Sequence, residues 1–186
     1  AGELPETPRA DDPVFDQVTN HVLADGFTAI DAAREVAADR GYDPCILSSS
    51  VRGEAREAAL THVAVAEEVG ATGNPLDAPA VILSGGEATV TVRGDGVGGP
   101  NAEFALAAAV ELPDGATLAC VDTDGKDGSS DFAGALVDAD TVDDTHEARA
   151  ALGNNDAYGY LGERGAVIST GATGTNVNDL RVLVVG

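Results

Sequence analysis

The chain has 186 residues and 44% hydrophobic content, with 32 acidic side chains against 10 basic ones and a formal charge of −22. That balance excludes nonspecific nucleic-acid binding, since no basic face exists to replace phosphate counterions, and no apolar run is long enough to cross a bilayer. Such a charge repels itself in dilute buffer and is screened in molar salt, so an Asp-rich chain with Lys126 as its one lysine reads as halophilic, the alternative being an acidic mesophilic protein.

Residues 1–16 hold Pro5, Pro8 and Pro13 among acids and read as an extended arm. From 17 to 79 the chain alternates: a short strand at His21–Ala24, a helix over Thr28–Arg40, a strand at Pro44–Leu47 and a helix over Gly53–Val69 ended by Gly70. A buried strand at Ala80–Leu83 follows, and the β-α-β-α-β order predicts parallel strands with right-handed crossovers. Gly85-Gly86 is a turn signal, and the period-2 alternation of Ala88–Arg93 predicts a hairpin partner for Ala80–Leu83. Asn101–Leu112 is an apolar helix entered through Pro100. Next come a strand at Ala116–Val121, a strand or turn at Ala133–Val137, and short helices over Asp140–Leu152 and Asp156–Gly162. Strands at Ala166–Ile168 and Leu180–Val185 end the chain. Cys45 and Cys120 sit inside strand-like apolar runs, so each reads as a small buried hydrophobe, and a reducing cytoplasm fits. The fold class is α/β: a mixed, largely parallel sheet flanked by helices, with a β-hairpin and glycine-rich loops. Residues 17–186 read as one compact unit.

Gly94-Asp-Gly-Val-Gly-Gly99 formally matches a dinucleotide fingerprint, but the alternating strand before it is the wrong context. A glycine loop leading into the positive end of a helix near Asn101 still suits an anion. Glu103, in that helix's first turn, is either a surface acid complementing the dipole or a polar group turned into the site. No P-loop occurs. Asp122–Asp131 carries four carboxylates after a strand end, where α/β sheets gather ligands, but Lys126 and Ala133 break the EF-hand pattern. Magnesium on one or two of these acids is the metal reading, with Asp124 and Asp127 favoured and an acidic surface turn as the plain alternative. Thr173, Thr175 and Asn176 cluster around Gly174 more densely than a structural turn needs, which suggests ligand binding. Ser48-Ser-Ser50 with Arg52 either lines a cleft or caps the next helix, and Asn154-Asn-Asp156 reads as a cap. His21, His62 and His146 have no metal-type spacing.

Leu83-Ser-Gly-Gly-Glu87, Val90-Thr-Val-Arg-Gly94, Gly98-Gly-Pro-Asn-Ala-Glu-Phe-Ala-Leu106, Thr123-Asp-Gly-Lys-Asp-Gly128, Asn154-Asn-Asp156 and Gly171-Ala-Thr-Gly-Thr-Asn-Val-Asn-Asp-Leu180 resemble, in order and spacing, the C-terminal MOFRL domain of glycerate kinases that make 2-phosphoglycerate. Many proteins of this family are named hydroxypyruvate reductases. The resemblance covers about 80–186, and 17–79 looks like the end of the family's preceding region. Where the family commonly reads Gly-Gly-Arg-Asn-Gln-Glu, this chain has Pro100 and Ala102. The resemblance implies ATP as phosphoryl donor, D-glycerate as acceptor and magnesium, in a cleft completed by an N-terminal domain that this chain begins too late to contain. It implies N–H donors at Gly85, Gly86, Gly98, Gly99 and Gly174, and polar contacts from Ser84, Asn101, Glu103, Thr173, Thr175 and Asn176. Metal or proton handling would fall to Glu87, Asp124, Asp127 and Asp179, with Glu87 and Asp179 as the catalytic pair. A cytoplasmic location without membrane partner is expected, and a homodimer is left open. Two rivals stand: an NAD(P)-dependent hydroxypyruvate reductase, and a divalent-ion or interaction module without chemistry of its own.

Overall fold

A computed structural model describes residues 6–186; the start of the expected arm, residues 1–5, lies outside the described residues. A six-stranded sheet has the order β1-β2-β6-β3-β4-β5. The strands are β1 (Asp43–Val51), β2 (Ala80–Gly86), β3 (Ala116–Asp122), β4 (Gly134–Asp138), β5 (Val167–Ile168) and β6 (Asp179–Val185). The β1-α2-β2 unit, with α2 at Ala55–Thr72, supplies the parallel pair. Strand β6 inserts antiparallel between β2 and β3, and the β3–β4 and β4–β5 pairings are antiparallel as well. The sheet is therefore more antiparallel than the β-α alternation predicts. The last strand sits at its centre.

Helix α1 (Gly26–Asp39) begins with a reciprocal capping box between Asp25 and Thr28, which satisfies two first-turn donors. It covers one face of the sheet, where Ile30, Ala37, Val81 and Leu83 form a small core with Leu180, Val182 and Val184 packed at its rim. The other face carries α2, α3 (Pro100–Ala109), α4 (Thr145–Gly153) and α5 (Ala157–Glu163) around a larger core that includes Ile82, Phe104, Leu106, Leu118, Leu161 and Leu183. From Asn101 to Ala109 every residue of α3 is buried, which explains its lack of a polar stripe. Among the described residues no helix is long and apolar enough to cross a membrane.

Three local expectations are corrected. His21–Ala24 forms no strand: Val22 and Leu23 are 83% and 94% exposed, so β propensity there has no packing to support it. Ala88–Arg93 is not a hairpin arm, because both edges of β2 are taken by β1 and β6. The segment crosses the start of α2 instead, with Thr89 bridged to Glu54 and the Thr91 hydroxyl donating to the Glu54 carboxylate at 2.6 Å. Helix α2 runs through Gly70 and stops at Gly73, whose φ of +74° gives the left-handed C-cap. Cys45 and Cys120 are both free thiols, half-buried and buried respectively.

Candidate active site

The carboxyl ends of β1, β2 and β3 and the start of β6 lie at one end of the sheet, the end where ligands gather in open α/β folds. A cavity of about 470 Å³ opens there, lined by Ser49, Ser50, Arg52, Glu87, Thr89 and Asn178 with Gly53 and Gly86. Local irregularity shapes it. The pairing of β1 with β2 shifts register between Ile46 and Ser48 and again between Ser48 and Val51, and such bulges re-aim strand ends. Gly86 closes the floor at φ +124°, where a Cβ would collide with the Val51 backbone. Asn178 holds a left-handed backbone at φ +66°, pinned by the Thr123 N–H and hydroxyl, which both donate to its carbonyl. Strain of this kind persists only where surrounding bonds impose it.

Beneath the cavity lies a buried polar network. Asp127 accepts from the backbone N–H groups of Asn101 and Ala102 at 3.0 and 2.9 Å, from the Asn101 amide, and from the Tyr158 hydroxyl at 2.8 Å. It is the cap that Gly99 cannot provide for α3. Burial pushes its carboxyl pKa up while the two backbone N–H groups pull it down. Asp179 accepts from the Asn101 amide at 2.7 Å and from Ala88 N–H, and pairs with Arg181, which lies over the Phe104 ring. His62 donates Nδ1–H to the Ala58 carbonyl, which leaves Nε2 to accept from the Ser84 hydroxyl at 2.7 Å. Burial lowers the His62 pKa to about 4, so the ring is neutral. Asn101, Asp127 and Asp179 are thus linked to one another, Ser84 is tied to His62, and the Asn101 Oδ1 and the Arg181 Nε and Nη1 are buried without a partner among the described residues.

Two loops flank the cavity. The Thr173 hydroxyl donates to the Thr123 carbonyl at 2.6 Å, and the Asn176 amide donates to Asp124 while its oxygen accepts from Asn178 N–H. Thr175 and Gly174 stay exposed at the tip. Asp122, absent from the favoured metal pair, is the perturbed carboxylate of this end. Burial raises its pKa to about 6, with the nearby Asp124 and Asp179 charges adding to the effect. Among the described residues no three His, Cys, Asp or Glu side chains converge as a ready metal set.

The glycine loop does not join this cavity. A Cβ at Gly94, Gly96 or Gly98 would run into Asn154, Asp156 or Asn155, and one at Gly99 into the Asp127 carboxylate. Those glycines permit close backbone packing, and the positive end of α3 already receives Asp127. Gly85 is likewise a packing glycine, against Ile30 and the Asp179 carbonyl. Gly98, Gly99 and Glu103 line a separate cavity of about 330 Å³ with Val90, Val92 and Pro100. Glu103 itself is buried, held by Arg56 at 2.7 Å and Asn155 at 3.1 Å, so it ties α2, α3 and the α4–α5 turn together. Of the residues expected at the site, Gly86 and Glu87 line the cavity. Arg52, Ser49 and Ser50 line it as the cleft alternative for the 48–52 segment expects, the Ser-Ser-Ser-Val run being the end of β1, and Asn178 lines it from the loop before β6.

Together these features define an α/β domain with a polar pocket at the carboxyl end of its parallel strand pair. The chain belongs to the MOFRL family, whose sequence profile matches residues 80–179. It is 38% identical to a D-glycerate 2-kinase of Thermotoga maritima over 95% of this chain and 43% of that protein. A glycerate 2-kinase of Pyrococcus horikoshii is 35% identical over 99% of this chain and 42% of its own length. A relative from Agrobacterium vitis carrying a hydroxypyruvate reductase name is 38% identical over 99% of this chain and 46% of its own length. The crystal structure of the Thermotoga maritima glycerate kinase superposes with a TM-score of 0.85 over 89% of this chain and 42% of that one. The chain thus spans less than half the length of these relatives.

Proposed function

We propose that the chain is one domain of a cytoplasmic, ATP-dependent kinase that phosphorylates the 2-hydroxyl of D-glycerate to give 2-phosphoglycerate. The observation that carries this reading is a match to two glycerate 2-kinases over 95% and 99% of the chain, gathered on a fold with a polar pocket at its ligand-binding end. The cleft is completed by protein that these relatives carry beyond the span of this chain. In the reaction the 2-hydroxyl oxygen attacks the γ-phosphorus, the bond to the β–γ bridging oxygen breaks, and ADP leaves with that electron pair. Phosphoryl transfer of this kind depends on positioning and charge neutralisation more than on covalent chemistry. Glu87, exposed in the pocket, is the carboxylate we assign to accept the hydroxyl proton. Asp179 serves as a positioning residue, because its oxygens hold Asn101, Arg181 and Ala88 N–H in place.

Magnesium fits the neighbouring acids rather than the pair first favoured. Asp127 is buried with two donors on each oxygen, whereas the half-buried Asp122 and Asp124 accept at most one donor per oxygen and crowd one another, a repulsion that a cation would relieve. Asp122 and Asp124 would hold the ion, which supplies neutralisation of phosphate charge when bound. The test is an assay of the full-length protein with ATP and D-glycerate, following ADP release and identifying the product by phosphorus NMR. Formation of 2-phosphoglycerate is expected; hydride exchange with a nicotinamide cofactor and no ADP release would replace this reading with the reductase one.

A further inference from the structure

We propose that the pocket at the ends of β1 and β2 is the subsite for the acceptor acid, with Arg52 as the anchor for its carboxylate. This assignment rests on the phosphotransferase reading and names which molecule this pocket takes.

Arg52 combines the lack of a carboxylate partner among the described residues with a place on the wall of a polar cavity. In a chain where acids outnumber bases threefold, Arg34, Arg56, Arg149, Arg164, Arg181 and Lys126 each lie within 4.0 Å of an acid. Arg52 makes no ion pair or side-chain hydrogen bond among the described residues, yet it lines a polar cavity. Arg9, Arg40 and Arg93 are also unpaired among those residues, but Arg40 borders an apolar groove beside α1 and the other two line no polar cavity described above. An exposed guanidinium left free in so negative a molecule is held ready for a diffusible anion.

The surroundings fit a small hydroxy acid. The Ser49 and Ser50 hydroxyls and the Asn178 side-chain amide have no partner among the described residues, so donors and acceptors for a hydroxylated carbon chain remain available. The Glu54 carboxylate at the start of α2 is turned away to the Thr91 hydroxyl and N–H, so it does not compete for Arg52. Glu87 in the same pocket disfavours a polyphosphate but can take a proton from an alcohol. A 2-hydroxy acid carries its carboxylate and its reacting oxygen on adjacent carbons, which matches one cation and one carboxylate in one pocket. A cavity of about 470 Å³ exceeds what a three-carbon acid fills, leaving space for the incoming phosphoryl group.

The test uses the full-length enzyme carrying Arg52→Gln and Arg52→Lys, with KM measured for D-glycerate and for ATP and D-glycerate binding followed by saturation-transfer NMR without ATP. Arg52→Gln is expected to raise the glycerate KM at least tenfold while leaving the ATP KM within twofold, with Arg52→Lys in between and thermal stability unchanged. A glycerate KM within twofold of wild type in Arg52→Gln would overturn the assignment while the kinase reading stands. Glycerate binding that depends on Arg52 in a wild-type protein that forms no 2-phosphoglycerate would keep the subsite and overturn the kinase reading. Absence of glycerate binding to the wild type in both measurements would overturn both.

Discussion

Asp122 ends β3 and Asp127 lies five positions on in the loop that follows, and the fold gives them different work. Asp127 is buried and fills four hydrogen-bond donors, so its removal leaves Asn101 N–H, Ala102 N–H and the Tyr158 hydroxyl without their partner. We expect Asp127→Ala to cost about 3 kcal/mol in denaturant unfolding, the scale of several orphaned buried donors, and a loss below roughly 0.5 kcal/mol would reject the capping role. Acid density around Asp127 was legible in the sequence, but its role was not. Nothing local to the loop reveals that the first turn of α3, some 25 residues earlier, presents its free N–H groups there. His62 gives a pH signature of its own. Its pKa is depressed from an ordinary 6.5 to about 4, so the stability it contributes is complete above pH 6.5 and lost as pH falls through 4. Comparing unfolding free energies of wild type and His62→Gln across that window should reveal a difference that changes by roughly 3 kcal/mol. Parallel curves would mean the ring is not buried neutral.

At the scale of elements, two glycines separate permissive from obligatory positions. Gly70 lies inside α2, exposed, with open space around a would-be Cβ, so Gly70→Ala should stabilise the protein by about 0.5–1 kcal/mol. Gly86 combines a φ of +124° with a collision against Val51, so Gly86→Ala should destabilise by more than ~2 kcal/mol and deform the pocket floor. Thermal melts of the two variants should move in opposite directions, and a shared direction would contradict the placement of both. Although Gly70 was misleading as the stop of α2, the positions of α1, α2, α3 and of most strands were readable, because apolar periodicity and Pro100 are local signals. Strand order was not. Insertion of β6 between β2 and β3 is a long-range pairing of strands far apart in the chain, and no residue in Leu180–Val185 announces it. Ala88–Arg93 shows the reverse error: its alternation is real, but the edge it needs is already taken.

For the whole molecule the governing quantity is a charge of −22 on one small domain. Self-repulsion of that size is long-ranged in dilute buffer and short-ranged in molar salt. The melting temperature is accordingly expected to rise by on the order of 10 °C between 0.1 M and 2 M KCl, as calorimetry would record. A melting point independent of salt would show that local packing, not net charge, limits stability.

The uneven dressing of the sheet has a practical corollary. Along β6, Arg181, Leu183 and Val185 face the four-helix layer, while Leu180, Val182 and Val184 face the side that α1 covers; on β4, Leu136 is 49% exposed between buried Ala135 and Val137. One strand therefore carries two independent texts, written on alternate letters. Along β6 the rear text is already read by α1, but on β4 it lies open, so Leu136 is the letter that can be rewritten, for a reporter dye or a fusion partner, while the front text keeps its wording.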